Sequence, residues 1–401
     1  MRISLLLAAF ALVAFPAAAQ TDYETIADEA SLIDGVLADV DISCMAQLPS
    51  GDFVFYNFPT GDLVTHDPDA APGSRTAILR SSAQLNADLN SEADGCFAIT
   101  VDGAGNVYAA IQDSSDVDQV YKTDGLTGSV LAAADGLTGI AVTGSTVYLA
   151  RVAFFGAPED GFYSVNTTGT GQTPAVVLTD SGLDLIDLAV GSDGSLYASS
   201  SEFGSSGGGL QNVVVKVTDP AGTPSLSVVY DPFADGVFTN GTDGGLEDLE
   251  LAAGTDRLYL FNNSFAADNG EQWGTALSDG TGGEQFADEA ALLADPDTDL
   301  TEFTPPGGRS MVLNGDEIFV ASRTAFGGQD QIVKLTGFPP VSVGDNFEID
   351  ANPETQTVTA PGTANFTYTV TNNTASAQSG VVFYQAFLGS NPVSPVVQVQ
   401  S

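Results

Sequence analysis

One β-hairpin pattern recurs six times along the 401-residue chain and limits its fold more than any other feature. In each copy an apolar strand leads into a short polar or glycine turn, and a second apolar strand follows. The copies occupy residues 45–55, 99–109, 140–149, 188–198, 249–260 and 311–320. Glycine or Asp-Gly between two apolar runs is a strong hairpin signal, because the tight turn requires positive φ. The chain is therefore predicted to be all-β.

The spacing of the copies, about 50 residues, is typical of a β-propeller. A single hairpin cannot bury both of its faces, whereas six blades packed around an axis can. Two further apolar segments follow most hairpins, for example residues 212–217 and 226–230 after the fourth copy. We therefore expect a six-bladed propeller with four strands in each blade.

The last blade lacks one clear strand, since only residues 331–335 follow its hairpin before Pro339 and Pro340. Residues 23–27 at the other end of the chain are a suitable fourth strand. Such a strand would close the ring and remove the exposed edges of an open one. The alternative is that residues 22–38 form a short helix packed on one end of the ring.

The first residues have the pattern of a secretory signal. One arginine precedes an apolar run, and small residues at 17–19 form a cleavage site. Residues 1–19 are thus predicted to be a signal peptide, residues 20–338 the propeller and residues 339–401 a smaller domain. No later stretch is long and apolar enough to span a bilayer. We expect a secreted, extracellular or cell-surface protein of a bacterium.

The charge is strongly negative, with 10 Lys and Arg against 52 Asp and Glu and a formal net charge of −42. This field repels nucleic acid and anionic lipid, so neither is an expected partner. An acidic surface suited to saline water explains the imbalance more simply than a specific acidic function.

The chain contains two cysteines, Cys44 and Cys96, each near the start of the inner strand of its blade. The two blades are neighbours and the expected compartment is oxidising, so we predict a disulfide. The alternative is a pair of buried, reduced side chains, which behave as small apolar groups. Two cysteines alone make a metal site improbable.

The segment after residue 340 contains further strand patterns, at 356–360, 365–370, 380–388 and 396–399. Its phrase Phe-Thr-Tyr-Thr-Val-Thr-Asn-Asn-Thr, residues 366–374, resembles the immunoglobulin-like repeats near the C-termini of large bacterial surface proteins. A full sandwich of that kind has about seven strands and about 100 residues. The resemblance therefore implies a partial immunoglobulin-like β domain over residues 339–401.

The ring as a whole resembles the six-bladed propellers of the NHL-repeat, TolB-like and gluconolactonase-like group. The recurring hairpins carry this resemblance over about 300 residues. This architecture includes lactonases, lyases, esterases and rings that only bind, so it does not specify an activity.

The gluconolactonase-like resemblance implies one divalent metal at the channel mouth. Its ligands here would come from Asp187, Glu247 or Asp248, and Asn262 or Asn57. Carboxylate and amide oxygens suit Ca²⁺, which would polarise an ester or lactone carbonyl. The Glu-Gly-Pro-x-Trp motif of that group is absent from this sequence. The alternative is that these acids cap the inner strands or face solvent.

The sequence contains two further candidate sites, a possible cation loop and a single histidine. Asp295, Asp297 and Asp299 alternate as at the start of a Ca²⁺ loop, but the Gly and Glu of an EF-hand are missing, so a structural cation is the expectation there. The single histidine, His66, lies in a segment that reads as an exposed turn, and a Ser-His-Asp triad would have to use it.

These observations favour a secreted propeller that acts as a binding or interaction module rather than an enzyme. Its expected partner is an extracellular glycan, peptide or surface protein, and no cofactor is required except possible Ca²⁺. The alternative is a Ca²⁺-dependent, gluconolactonase-like hydrolase with the metal at the channel mouth.

Overall fold

The computed structural model divides the chain into two compact units, Met1–Pro340 and Val341–Ser401. The structure describes residues 21–152, 159–201, 210, 212–239, 244–252, 257–264, 270–298, 300–306, 309–315, 317–323 and 329–338 of the first unit. In the second unit it describes the strands 347–352, 367–372, 381–384, 387–388, 391–392 and 397–400.

The first unit begins with β1 (Asp22–Ala27) and a short helix, α1 (Glu29–Ile33). The first blade contains β2 (Ile42–Gln47), β3 (Phe53–Asn57), β4 (Asp62–His66) and β5 (Thr76–Arg80). Helix α2 (Ser82–Leu89) connects it to the second blade. The second blade contains β6 (Ala93–Val101), β7 (Val107–Asp113), β8 (Asp118–Thr123) and β9 (Gly128–Ala133). The third contains β10 (Leu137–Thr143), β11 (Thr146–Arg151), β12 (Gly161–Asn166) and β13 (Ala175–Thr179).

The remaining blades repeat the arrangement. The fourth contains β14 (Leu185–Val190), β15 (Leu196–Ser200), β16 (Val213–Thr218) and β17 (Ser225–Tyr230). The fifth contains β18 (Gly244–Leu251), β19 (Arg257–Ser264), β20 (Gln272–Leu277) and β21 (Glu284–Asp288), followed by helix α3 (Glu289–Ala294). The sixth contains β22 (Met311–Asn314), β23 (Glu317–Ser322) and β24 (Gln331–Thr336).

The sixth blade takes its outer strand from the start of the chain. Its order is β1-β24-β23-β22, and Asp22 pairs with Thr336 in an antiparallel register. The predicted closure by the N-terminal strand is therefore confirmed. The alternative helix is limited to the five residues of α1, which Asp28 caps by accepting a hydrogen bond from the Ser31 N–H.

Apolar side chains from neighbouring blades form the core between their faces. Between the first and second blades, for example, Tyr56 and Leu63 pack with Ile99 and Ile111 in one buried cluster. Because successive strand residues point to opposite faces, each blade is apolar toward both neighbours. This explains the near-continuous apolar strands, and the all-β six-bladed propeller is confirmed.

The predicted disulfide between Cys44 and Cys96 is present and joins the inner strands of the first two blades, with 5.9 Å between the Cα atoms. Next to it, the Ser43 hydroxyl donates to the Cys96 carbonyl oxygen at 2.9 Å. A covalent bond and a hydrogen bond thus hold the two blades together at the same end of the channel.

The prediction for His66 is wrong. His66 is the last residue of β4, is completely buried, and its Nδ1 lies 3.0 Å from the Thr76 hydroxyl. The Asp34 carboxylate accepts backbone N–H groups of Gly73 and Arg75, which fixes the segment that follows. Burial lowers the pKa of His66, so the ring is a neutral core group and no triad forms around it.

The second unit contains three antiparallel strand pairs: β25 (Phe347–Asn352) with β26 (Thr367–Asn372), β27 (Val381–Tyr384) with β30 (Val397–Gln400), and β28 (Phe387–Leu388) with β29 (Asn391–Pro392). Strand β25 was not predicted, and the predicted strand at 356–360 lies outside the described residues. Across the described part of both units, no helix has the length and apolarity to cross a membrane.

Candidate functional site

The inner strands of the first five blades each contain a β-bulge at the same position, near one end of the channel. The extra residues are Ser43, Phe97, Thr138, Ile186 and Glu247. A bulge bends its strand and redirects a side chain. In the sixth blade, Arg309 occupies the matching place two residues before Met311, as Glu247 does before Leu249. The bulges therefore bring one side chain per blade to the channel end.

The residues after two of these bulges, Asp187 and Asp248, connect successive blades. Asp187 Oδ2 accepts the Leu249 N–H of the fifth blade at 3.1 Å. Asp248 Oδ2 accepts the Ser310 and Met311 N–H groups of the sixth blade, both at 2.7 Å. Each carboxylate thus caps the start of the next inner strand, which is the alternative role that the sequence allowed.

The two carboxyl groups also affect each other. Burial, and then the neighbouring Asp248 carboxylate, raise the pKa of Asp187 well above its usual range. Asp187 Oδ1 is buried without a hydrogen-bond partner among the described residues. Asp187 therefore takes up a proton more readily than an exposed aspartate does.

Arg309 supplies a cation inside the channel. Its guanidinium forms an ion pair with Glu250 and donates to the Ile99 carbonyl oxygen at 3.2 Å. Its backbone carbonyl accepts the Met45 N–H at 2.9 Å, so this residue contacts the first, second and fifth blades. Burial alone would lower the pKa of Arg309, but the carboxylates of Glu250, Asp187 and Asp248 raise it. Its positive charge is therefore permanent and fixed in place.

Glu250 is the direct partner of this cation, and the two side chains are only 13% and 10% exposed. Burial raises the pKa of Glu250 to about 6, while Arg309 opposes that rise. Glu250 lies two residues further along β18 than Asp248.

Glu247 lies nearer the channel end. Its Oε2 accepts a hydrogen bond from Asn263 Nδ2 at 2.9 Å. Burial, with a further contribution from Asp248, raises the pKa of Glu247 to about 7, although the Asn263 hydrogen bond opposes the rise. Glu247 therefore changes charge near neutral pH.

This pKa predicts a pH effect on stability. A folded-state pKa above the unfolded value of about 4.3 means that the folded protein binds the proton more tightly, so this contribution is present in acid and lost as pH rises through about 7. Glu247→Gln removes the titration and keeps an acceptor for Asn263. We therefore expect the difference in the free energy of unfolding, variant minus wild type, to increase as the pH rises through this range. The expected increase is on the order of 2 kcal/mol. Urea titrations across pH measure it, and parallel curves would contradict it.

A second set of equivalent residues ends the second strand of each blade. In four blades the side chain binds the segment that leads into the inner strand. Asn57 accepts from the Asp41 N–H and donates to the Asp39 carbonyl oxygen. Arg151 donates to the Asp135 carbonyl oxygen, Ser200 accepts from the Asp184 N–H, and Ser322 accepts from the Thr304 N–H.

Asn262 is the exception in this set. It is equivalent to Asn57, because it pairs with Leu246 as Asn57 pairs with Ile42. It is completely buried, yet neither its amide nitrogen nor its amide oxygen has a hydrogen-bond partner among the described residues. It shares a strand face with Leu258 and Leu260, which pack against the fourth blade. This interface between the fourth and fifth blades therefore contains a buried amide whose donor and acceptor are both unused.

The other predicted residues are distributed as follows. Asp295 caps the end of α3, and its Oδ1 accepts the Asp297 N–H at 2.9 Å, whereas Asp299 lies outside the described residues. Within the described ranges, no group of three or more His, Cys, Asp or Glu side chains could hold a metal ion. Both calcium sites remain predictions.

No protein-family description and no curated protein matches the chain. Solved structures with similarity include a gluconolactonase from Xanthomonas campestris, at 13% identity and a TM-score of 0.47, covering 78% of this chain and 89% of that one. A virginiamycin B lyase from Staphylococcus aureus has 11% identity and a TM-score of 0.47, with 79% and 99% covered.

A TolB-type protein from Agrobacterium tumefaciens has 13% identity and a TM-score of 0.44, covering 62% of this chain and 81% of that one. The strand order alone makes the first unit a six-bladed propeller, and its structural neighbours are of gluconolactonase, lyase and TolB type. At these identities the similarity says nothing about activity, because unrelated functions share this fold.

Proposed function

We propose that the chain is an exported propeller that binds an extracellular ligand at the channel end, where β19 carries Asn262 on one face and Asn263, which is bonded to Glu247, on the other. The observation that carries the proposal is the buried, unpartnered amide of Asn262. A buried polar group without a partner costs about 1–3 kcal/mol. A ligand that hydrogen-bonds the amide would offset that cost, whereas the equivalent Asn57 already bonds its own blade.

The chemistry of these three residues limits the ligand. Asn262 offers one donor and one acceptor, and Glu247 with Asn263 offers a hydrogen-bonded carboxylate–amide pair. Hydroxyl and amide groups match such a surface, so the ligand class is a glycan or a peptide. Because the pKa of Glu247 is about 7, affinity should change across neutral pH.

The location outside the cell rests on the apolar N-terminal segment and the disulfide. A disulfide persists in oxidising compartments and is rare in the bacterial cytosol. The immunoglobulin-like character of residues 339–401 would suit a surface protein, and the phrase at residues 366–374 supports it.

Binding rather than catalysis is favoured by the state of the channel carboxylates. Asp187 and Asp248 accept backbone N–H groups of the next blade, and Arg309 is paired with Glu250. Asp187 Oδ2, Asp248 Oδ2 and the Arg309–Glu250 pair thus belong to the ring's own bonding, which favours a structural role over the activation of water.

A ligand screen tests the proposal. The chain from residue 20 is applied to a glycan array and to a displayed peptide library, beside Asn262→Leu and Asn57→Ser variants. We expect ligands that bind the wild type and the Asn57 variant but not the Asn262 variant. Ligands that bind all three equally would contradict the proposed site.

Repeating the screen in EDTA and in Ca²⁺ separates the hydrolase alternative. That alternative requires metal-dependent binding that Asp187→Asn abolishes, together with turnover of lactones. The binding proposal expects the same hits in both conditions and no turnover.

A further inference from the structure

A second concave surface lies at the opposite end of the ring from the candidate site, between the second and third blades. It is a cleft of about 340 Å³, which is in the range of small-ligand sites. The residues around it come from the turn after β6, the turn between β8 and β9, and the loop after β12. They are Asn106, Lys122, Thr123, Asp124, Thr127, Ser129, Leu131, Thr167, Thr168, Gly169 and Thr170.

The cleft is dominated by hydroxyl groups around one ammonium group. Lys122 Nζ donates to the Thr167 carbonyl oxygen at 3.1 Å and lies 5.3 Å from the centre of the Tyr108 ring. These two contacts hold the ammonium in place but use only part of its three donors. The charge is therefore positioned and partly available.

The three lysines of the chain occupy one equivalent position, in the third strand of alternate blades. Lys122 pairs with Tyr108, Lys216 with Tyr197 and Lys334 with Phe319 in the same register. The other two are neutralised: Lys216 Nζ lies 3.0 Å from the Asp193 carboxylate, and Lys334 Nζ lies 2.6 Å from the Glu24 carboxylate. In the described part of the chain, Lys122 forms no ion pair with a carboxylate.

One residue that differs between the second and fourth blades explains why Lys122 has no acidic partner and Lys216 has one. Asp193 lies in the turn before β15, two residues after Gly191, whose N–H bonds Ser195. In the second blade, the Asp102 N–H bonds Asn106 in the same way, so the residue equivalent to Asp193 is Ala104. The second blade thus keeps the lysine and its aromatic ring but lacks the acidic partner.

The one carboxylate that borders the cleft, Asp124, forms no ion pair with Lys122, and its Oδ1 atom is used inside its own turn. Asp124 Oδ1 accepts the Leu126 N–H at 2.9 Å and the Thr127 N–H at 2.6 Å, inside its own turn. Asn106 likewise donates to Asp102 Oδ2 at 2.7 Å. Lys122 is therefore the group that a ligand charge would meet.

We propose that this cleft binds an acidic sugar unit, with its carboxylate or sulfate on Lys122 and its hydroxyls on Thr167, Thr168 and Thr170, because the hydroxyls of Thr123 and Thr127 are bonded within their own turn. The hydroxyl-rich walls match a polyol, and a fixed ammonium with no acidic partner matches one negative charge. Since the net charge of −42 repels dense polyanions, the ligand is a single unit or a chain end. This site is separate from the proposed channel-end site, and neither depends on the other.

Calorimetric titration of the chain from residue 20 tests the assignment. The probes are galacturonate, galactose 6-sulfate, neutral galactose and inorganic sulfate. We expect at least one acidic sugar to bind about tenfold or more tightly than neutral galactose and inorganic sulfate. The two acidic probes distinguish a carboxylate from a sulfate ligand.

Three variants complete the test. Lys122→Met should abolish binding, and Lys216→Met, at the equivalent position of the fourth blade, should leave it unchanged. Ala104→Asp gives Lys122 the partner that Lys216 has, and it should reduce the affinity about tenfold or more without removing a core side chain. No binding of either acidic sugar, equal binding of inorganic sulfate, or unchanged affinity in Ala104→Asp and Lys122→Met would overturn the proposal.

Discussion

Replacing Arg309 with methionine should lower the free energy of unfolding by about 3–5 kcal/mol. The substitution keeps a long side chain in the channel but removes the cation that faces Glu250, Asp187 and Asp248. An uncompensated buried charge is strongly destabilising, so the loss comes mainly from Glu250. Urea unfolding followed by tryptophan fluorescence measures it, since Trp273 is buried in the fifth blade.

The loss should depend on pH and on Glu250. Without the guanidinium, Glu250 takes up a proton at a higher pH than its wild-type pKa of about 6, so the variant should recover stability in acid. The double variant Arg309→Met/Glu250→Gln should recover part of the loss at neutral pH. Lys216→Met is the surface control, because the Asp193 side chain is 48% exposed and such pairs contribute about 0.2–1 kcal/mol. Equal losses at Arg309 and Lys216 would contradict the buried role.

Removing the disulfide should have an effect of similar size. The bond joins cysteines 52 residues apart in sequence. Closing a loop of that length lowers the conformational entropy of the unfolded chain and so raises its free energy by about 4 kcal/mol. A Cys44→Ala/Cys96→Ala variant should therefore unfold at a markedly lower urea concentration. Wild type treated with a reductant should match the variant, and the variant itself should not respond to the reductant. A reductant effect of equal size in both would contradict the assignment.

Most of the ring could be predicted from sequence, because each blade repeats one local pattern. The turn glycine or Asp-Gly and the flanking apolar runs specify the hairpin without long-range information. Closure by residues 23–27 followed from the missing strand of the last blade, and it is confirmed by the Tyr23–Leu335 pairing. The disulfide followed from the positions of Cys44 and Cys96 near the starts of the inner strands of neighbouring blades.

The channel end could not be predicted to the same depth, because it depends on where side chains point. The bulge at Glu247 moves the side chains that follow it to other faces, and no local sequence signal marks that bulge. The ion pair between Arg309 and Glu250 was not predicted. An arginine among few basic residues, with several acids on a neighbouring inner strand, is the signal that could have found the pair.

His66 shows a second kind of limit. Its neighbours Asp67 and Pro68 are typical of an exposed turn, and the turn does begin there. The histidine itself still belongs to the strand, and a side chain of another element, Asp34, holds the following segment over it. Contacts between residues that lie 39 and 41 positions apart in the sequence decide its burial, and the local pattern does not contain them.

The most direct test of a ligand site at the channel end compares the stabilities of Asn262→Leu and Asn57→Leu. The two residues are equivalent in the fold, but Asn57 forms three hydrogen bonds and Asn262 has no side-chain partner among the described residues. We predict that Asn57→Leu lowers the free energy of unfolding by about 1–3 kcal/mol, because it leaves buried backbone groups unpaired. Asn262→Leu should instead raise it by about 1 kcal/mol or more, since the amide is kept at the expense of stability. Equal losses in both variants would contradict the account, because Asn262 would then be a structural anchor like Asn57.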